Sequence, residues 1–174
     1  MMRVIVKNHD GDPAAATAIG DLYAPEISGA ANRFLQSIYT HSKLPTRLFE
    51  AARMATARIN GCIMCKQWRI DRDLRHLYPG RKLRSCDNAP DKNFYDAILK
   101  EDYSDLNVRE ELAISFAIRM GTEPKELSGD ELFWKSVKSH LTDAEVTDLA
   151  YCIAGWMSMG RVLHVLGIDK ICSL

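Results

Sequence analysis

Cys62 and Cys65, separated by Ile63 and Met64, are the residues of this chain whose type and spacing most directly imply chemistry. Two thiols so placed near a helix start come within the Cα separation of roughly 4.4 to 6.8 Å that a disulfide requires. The turn pair Asn60-Gly61 stands immediately before them, so both sulfurs are expected in the first turn of a helix. Unpaired backbone N–H groups there favour the thiolate, which is the reactive form of cysteine. On a helix of 3.6 residues per turn, Cys62, Cys65, Arg69, Arg72 and His76 share one face, and Ile63, Ile70, Leu74 and Leu77 form an apolar one. The face that carries the sulfurs is therefore also cationic, and the chemistry it implies is reversible oxidation of a dithiol.

Other readings of the same residues stand beside this one. The two thiols are inert if nothing draws either of them into the thiolate form. A zinc site would use Cys62, Cys65, His76 and Cys86, but the chain has no second C-x-x-C and no H-x-x-x-H to complete the usual spacing. Arg69 and Arg72 alone read as a solvated face, and His76 alone as a surface histidine. Glu50, on the preceding helix with Met54 and Ala57, reads equally as a surface carboxylate or as a partner of the thiols. No metal and no cofactor site is expected, because no glycine-rich phosphate loop is present either.

The elements that must position the sulfurs belong to one domain. A chain of 174 residues buries a single sizeable core. Its 23 basic and 23 acidic side chains cancel, which removes the overall charge that draws a protein to nucleic acid or to an anionic membrane. The longest uncharged apolar run, Leu149 to Gly160, falls well short of the roughly 20 residues that span a bilayer. Val4 to Val6 is cut short by Lys7, Asn8, His9 and Asp10, so no export signal is read and a cytoplasmic location is expected. Five cysteines, three of them scattered at Cys86, Cys152 and Cys172, do not resemble the dense framework of a small secreted fold.

Helices are predicted near 26–40, 45–59, 62–77, 91–101, 105–120, 129–140 and 143–166, an all-α fold. Residues 1–24, with a strand-like Arg3-Val4-Ile5-Val6 and then no sustained period, are read as an N-terminal arm, and 25–174 as one helical domain. Pro45 suits a first helical turn. Ser128 with Glu131, and Thr142 with Glu145, form capping-box patterns. The last helix carries a wide apolar stripe through Leu149, Ile153, Trp156, Met157 and Leu163 and is expected to be central. Gly155 and Gly160 within it predict close approach of another backbone. Trp68, Trp134 and Trp156 read as core or interface aromatics.

Glu50, twelve residues before Cys62, together with Arg58-Ile59-Asn60-Gly61-Cys62-Ile63-Met64-Cys65, resembles the signature of the carboxymuconolactone decarboxylase family, in its alkylhydroperoxidase D-like branch. Arg109 to Ala117, Leu141 to Val146 and Met159 to Leu163 are similar to later parts of that family, so the resemblance spans roughly Pro45 to Ile168. It implies a multi-helix domain that assembles into a homo-oligomer, a trimer or hexamer. It also implies a thiol pair that reduces hydroperoxides, with a glutamate and histidines as proton relay. Glu50, Cys62 and Cys65 match; the histidine four residues after the second cysteine is replaced by Arg69, and the one sometimes found just before it by Met64. An arginine stays protonated at any physiological pH and cannot accept and return a proton, although its charge still favours a thiolate.

The resulting expectation is a thiol-dependent oxidoreductase that reduces a hydroperoxide or a partner protein's disulfide. Cys65 attacks and Cys62 resolves, an order the resemblance supplies. Glu50 assists proton movement or holds Arg69, and Arg69 serves in substrate binding. Folding the helices antiparallel about Asn60-Gly61 places Glu50 and Arg69 at the same height, which predicts an ion pair between them. The alternatives are a decarboxylase or isomerase acting on a small carboxylated lactone, bound by Arg69 and Arg72, and a non-enzymatic redox-sensing or structural oligomer. Arg161 lines the site by analogy, and His164 reads simply as a basic residue at a helix end.

Overall fold

The computed structural model describes residues 3–4 and 15–170, and among these every regular element is helical. The elements are α1 (Ala15–Tyr23), α2 (Pro25–His41), α3 (Thr46–Ile59), α4 (Ile63–Gln67), α5 (Ile70–Leu77), α6 (Lys92–Lys100), α7 (Val108–Thr122), α8 (Pro124–Ser128), α9 (Glu131–His140) and α10 (Asp143–Val165), followed by a 3-10 turn at Ile168–Lys170. The expected all-α class is the observed one. Part of the expected arm is helical as α1, which packs on α2 and the 3-10 turn. Arg3 donates its N–H to Leu166 O at 2.9 Å, whereas Ile5 and Val6 of the strand-like run lie outside the described residues.

The most enclosed element is α3, which is surrounded by α7, α10, α6 and α4. Ala51, Ala52, Ala55 and Ala57 keep its outline narrow, so neighbours close on it from several sides, and Phe49 and Met54 fill the space between. The last helix shares the centre through Leu149, Cys152, Ile153, Trp156 and Met157 but leaves Tyr151, Val162 and Val165 exposed. It is central as expected, on one side only, and shares that place with α3.

Helix ends follow local chemistry, with two revisions. Thr142 and Glu145 form the expected capping box, and Asn107 with Glu110 forms another that was not foreseen. The start of α9 is capped by Asp130, which accepts from Phe133 N at 2.9 Å, while Ser128 turns back to Lys125 O. Pro45 is the residue that precedes α3 rather than one inside its first turn.

Gly160 makes room for the end of α3. A β-carbon there would stand 2.5 Å from Asn60 Nδ2, and that amide donates to Trp156 O at 3.2 Å. Close approach at this glycine is made within the chain by the Asn60 side chain, and at Gly155 by the Ile38 side chain, instead of by the second backbone that was expected. Trp156 is buried and donates from Nε1 to Tyr39 Oη at 3.2 Å. Trp134 donates to Leu127 O at 2.8 Å.

The candidate active site

Cys62 and Cys65 form a disulfide with a Cα separation of 5.3 Å. Gly61, with φ of +71°, turns the chain out of α3 in the left-handed region that suits a residue without a β-carbon. Cys62 then stands just before α4, and its sulfur accepts the Cys65 N–H at 3.2 Å. Cys62 is 0% exposed, whereas Cys65 is partly exposed. Of the two residues, one is therefore sealed in the interior and the other is partly open to solvent.

The continuous helix predicted over 62–77 is interrupted. Trp68 and Arg69 are extended, so α4 and α5 are separate and the single face of Cys62, Cys65, Arg69, Arg72 and His76 does not persist. Arginines take the carbonyls released by the break. Arg53 Nη1 donates to Cys65 O at 2.9 Å and Nη2 to Trp68 O at 3.0 Å. Arg69 Nη1 donates to Lys66 O at 2.7 Å and Trp68 O at 2.8 Å, and Arg72 Nη2 to Gln67 O at 2.9 Å. Arg72 also pairs with Asp73, and His76 is exposed at the end of α5.

Glu50 lies fully buried one turn before Arg53 and holds it by two hydrogen bonds of 2.7 Å, Nε to Oε1 and Nη2 to Oε2. Tyr95 of α6 donates its hydroxyl to Glu50 Oε2 at 2.8 Å. Burial acts against the charge on Arg53, but the Glu50 carboxylate outweighs it and holds the guanidinium above its ordinary pKa. Burial, followed by the Glu50 charge, raises the Tyr95 hydroxyl, which stays protonated and donating.

The expected Glu50–Arg69 ion pair is replaced by Glu50–Arg53. Arg69 instead lies over the Tyr95 ring at 4.2 Å. Burial and the nearby charge of Arg53 lower its pKa without removing its charge at neutral pH. Helical periodicity explains the difference: Arg53 follows Glu50 by three residues on the same face of α3 and reaches it without crossing between helices. Arg53 was missed by sequence reasoning, and so was Tyr95.

On the other side of the sulfurs, Asp169 from the 3-10 turn accepts the Ile63 N–H at 2.9 Å. The same oxygen, Oδ2, lies 2.9 Å from His164 Nδ1. The His164 ring rests against Gly61. Arg161, expected to line the site, donates instead to Gly121 O at 2.7 Å. Among the described residues, no group of three His, Cys, Asp or Glu side chains is arranged to hold a metal ion.

No family model and no curated protein matches the chain. Among solved structures, it superposes with a TM-score of 0.63 on a protein of unknown function from Agrobacterium tumefaciens, provisionally described as the antioxidant defence protein AhpD. The overlap covers 84% of this chain and 92% of that one at 15% identity. The fold is AhpD-like. At that identity the likeness concerns the path of the backbone, so the chemistry rests on this chain's own residues.

Two further features bear on the domain. A surface cavity of about 600 Å³ is lined by Lys43, Arg47, Lys82 and Arg84 among others. It adjoins the first residues of α3, the opposite end of that helix from Gly61 and the sulfurs. No described helix is long and apolar enough to cross a membrane.

Proposed function

We propose that the protein is a thiol-dependent oxidoreductase that reduces a small hydroperoxide, or the disulfide of a partner protein, by cycling Cys62 and Cys65 between dithiol and disulfide. One observation carries the reading: within an AhpD-like fold, the two cysteines are bonded, with Cys62 sealed and Cys65 partly exposed. That asymmetry supports Cys65 as the attacking thiol and Cys62 as the resolving one.

In the peroxide reaction the Cys65 thiolate attacks the outer oxygen of ROOH. The O–O bond breaks, the sulfur becomes a sulfenic acid, and RO⁻ leaves to take up a proton as ROH. Cys62 then displaces hydroxide from Cys65, the S–S bond forms, and the hydroxide leaves as water. The sum is dithiol plus ROOH giving disulfide, ROH and H₂O. A thiol or dithiol reductant, free or on a partner protein, returns the pair to the reduced state.

Glu50 acts through Arg53, whose grip on Cys65 O fixes the backbone that carries the attacking sulfur. Arg69, partly exposed beside that segment, is assigned to substrate binding. The reading includes a homo-oligomer, a trimer or hexamer, and a cytoplasmic location, where reductants keep such a pair cycling. Titrating free thiols before and after one equivalent of hydroperoxide tests it: the reduced protein is expected to lose two thiols, and an unchanged thiol count sinks the reading.

A further inference from the structure

The position that would carry a relay histidine after Cys65 holds Arg69, yet His164 stands against Gly61, the residue before the other cysteine. We infer that His164, aligned by Asp169, carries the proton of Cys62 in both directions of the disulfide exchange. This deepens the proposed thiol cycle and rests on it.

Four observations converge. Asp169 is fully buried, and its Oδ2 binds both His164 Nδ1 and the N–H of Ile63, the residue after Cys62. The far edge of the same ring faces Gly61, the residue before Cys62, with Nε2 3.0 Å from where a β-carbon would stand. The imidazole is thus fixed against the residue before the inner sulfur, and its Asp169 partner against the residue after it. Cys62 is 0% exposed and has no direct exchange with bulk water, whereas the His164 side chain is 38% exposed and does.

The chemistry follows from the tautomer. A carboxylate on Nδ1 holds the proton there and leaves Nε2 as the acceptor, the arrangement that makes an imidazole a competent base. Asp169 is the positioning residue, since it acts through His164. During oxidation, the Cys62 S–H proton passes to Nε2 as the sulfur attacks Cys65–S–OH, and the departing hydroxide collects a proton as water. During reduction, an incoming thiolate attacks Cys65, the S–S bond breaks, and the electron pair goes to the Cys62 sulfur. His164, protonated at Nε2 through its exposed edge by the proton that the reductant thiol gives up on ionising, then supplies it to that leaving group, directly or through one water.

The test is reduction of the oxidised protein by dithiothreitol, followed by rapid thiol trapping. This step needs no peroxide chemistry. His164→Gln, which retains a hydrogen-bonding side chain without a proton to exchange, is expected to be slower by about 10²-fold, within the range for a positioned acid or base. His164→Ala is expected to recover rate on addition of imidazoles, in order of their basicity. Asp169→Asn is expected to fall between wild type and His164→Gln. Reduction of His164→Gln within about twofold of wild type overturns the inference, as does rescue that follows the size of the added imidazole instead of its basicity. If the variants do not fold, the wild-type rate in heavy water decides: a solvent isotope effect is expected, and equal rates overturn it. Should wild type ignore hydroperoxide while His164 still governs reduction, the peroxidase reading fails and this inference stands.

Discussion

Arg53 binds Glu50 through two hydrogen bonds of 2.7 Å and uses its remaining N–H groups to hold the backbone carbonyls of Cys65 and Trp68. The pair links the most buried helix to the segment that carries the reachable sulfur. Removing one member leaves the other as an unpaired buried charge, which costs about 3–5 kcal/mol. Arg53→Leu is therefore expected to lower the urea midpoint sharply. Arg69→Leu, which leaves Glu50 paired with Arg53, is expected to cost much less. Equal losses for the two variants would show that the pair is not the main support of this segment.

The two other cysteines among the described residues, Cys86 and Cys152, give a second expectation. Burial raises the pKa of Cys86, with the nearby Arg84 charge opposing, and burial followed by the charge of Asp148 raises Cys152 further. Both are thus held as thiols at neutral pH. After reduction, iodoacetamide at pH 7.5 is expected to label Cys65 ahead of Cys86 and Cys152, as peptide mass spectrometry will show. Labelling of Cys86 first would contradict the assignment of Cys65 as the reactive sulfur.

Acid stability provides a third. Glu145 has its pKa held below the ordinary value by the Thr142 backbone N–H, with Arg109 adding to the effect. A depressed carboxylate pKa contributes stability that is fully present above the unfolded value and is lost as pH falls through the folded one. Glu145→Gln is expected to flatten the fall in stability below about pH 4.5, where an unfolded glutamate begins to protonate. Thr142→Ala is expected to cost about 1 kcal/mol at neutral pH through loss of the cap. Urea titrations across the acid range check both.

How much of this was legible in the sequence depended on how local each signal was. The turn at Asn60-Gly61 and the bonding distance of Cys62 and Cys65 follow from neighbours in the chain, and both were read correctly. The Thr142–Glu145 cap is equally local. The break at Trp68-Arg69 was hidden, because the apolar spacing of Ile70, Leu74 and Leu77 continues the period of Ile63, and the released carbonyls are taken by arginines, Arg53 reaching in from α3 beside Arg69 and Arg72. Arg47, Arg53 and Arg58 look alike along α3. Which of them is buried is decided by α4, α6 and Tyr95 closing over that face. The contact of Asp169 with Ile63 spans 106 residues and leaves no periodic trace.

Assembly is a fourth expectation. Tyr151, Val162 and Val165 of α10, with Ile27 and Phe34 of α2, leave large apolar side chains exposed. Burying such a face between copies is a common route to cyclic oligomers. Sedimentation at micromolar concentration is expected to give a trimer or hexamer. A monomer would remove the oligomer from the proposal and leave the thiol chemistry intact.

The central claim is that oxidation of Cys62 and Cys65 is the functional event, and stopped-flow mixing of the reduced protein with a small hydroperoxide tests it most directly. Wild type is expected to consume one equivalent and to yield the Cys62–Cys65 bond by mass spectrometry. Cys65→Ser is expected to consume none, and Cys62→Ser to stop at a trapped sulfenic acid on Cys65. Equally slow peroxide loss by wild type and by the double serine variant, with no Cys62–Cys65 bond formed, would contradict the account.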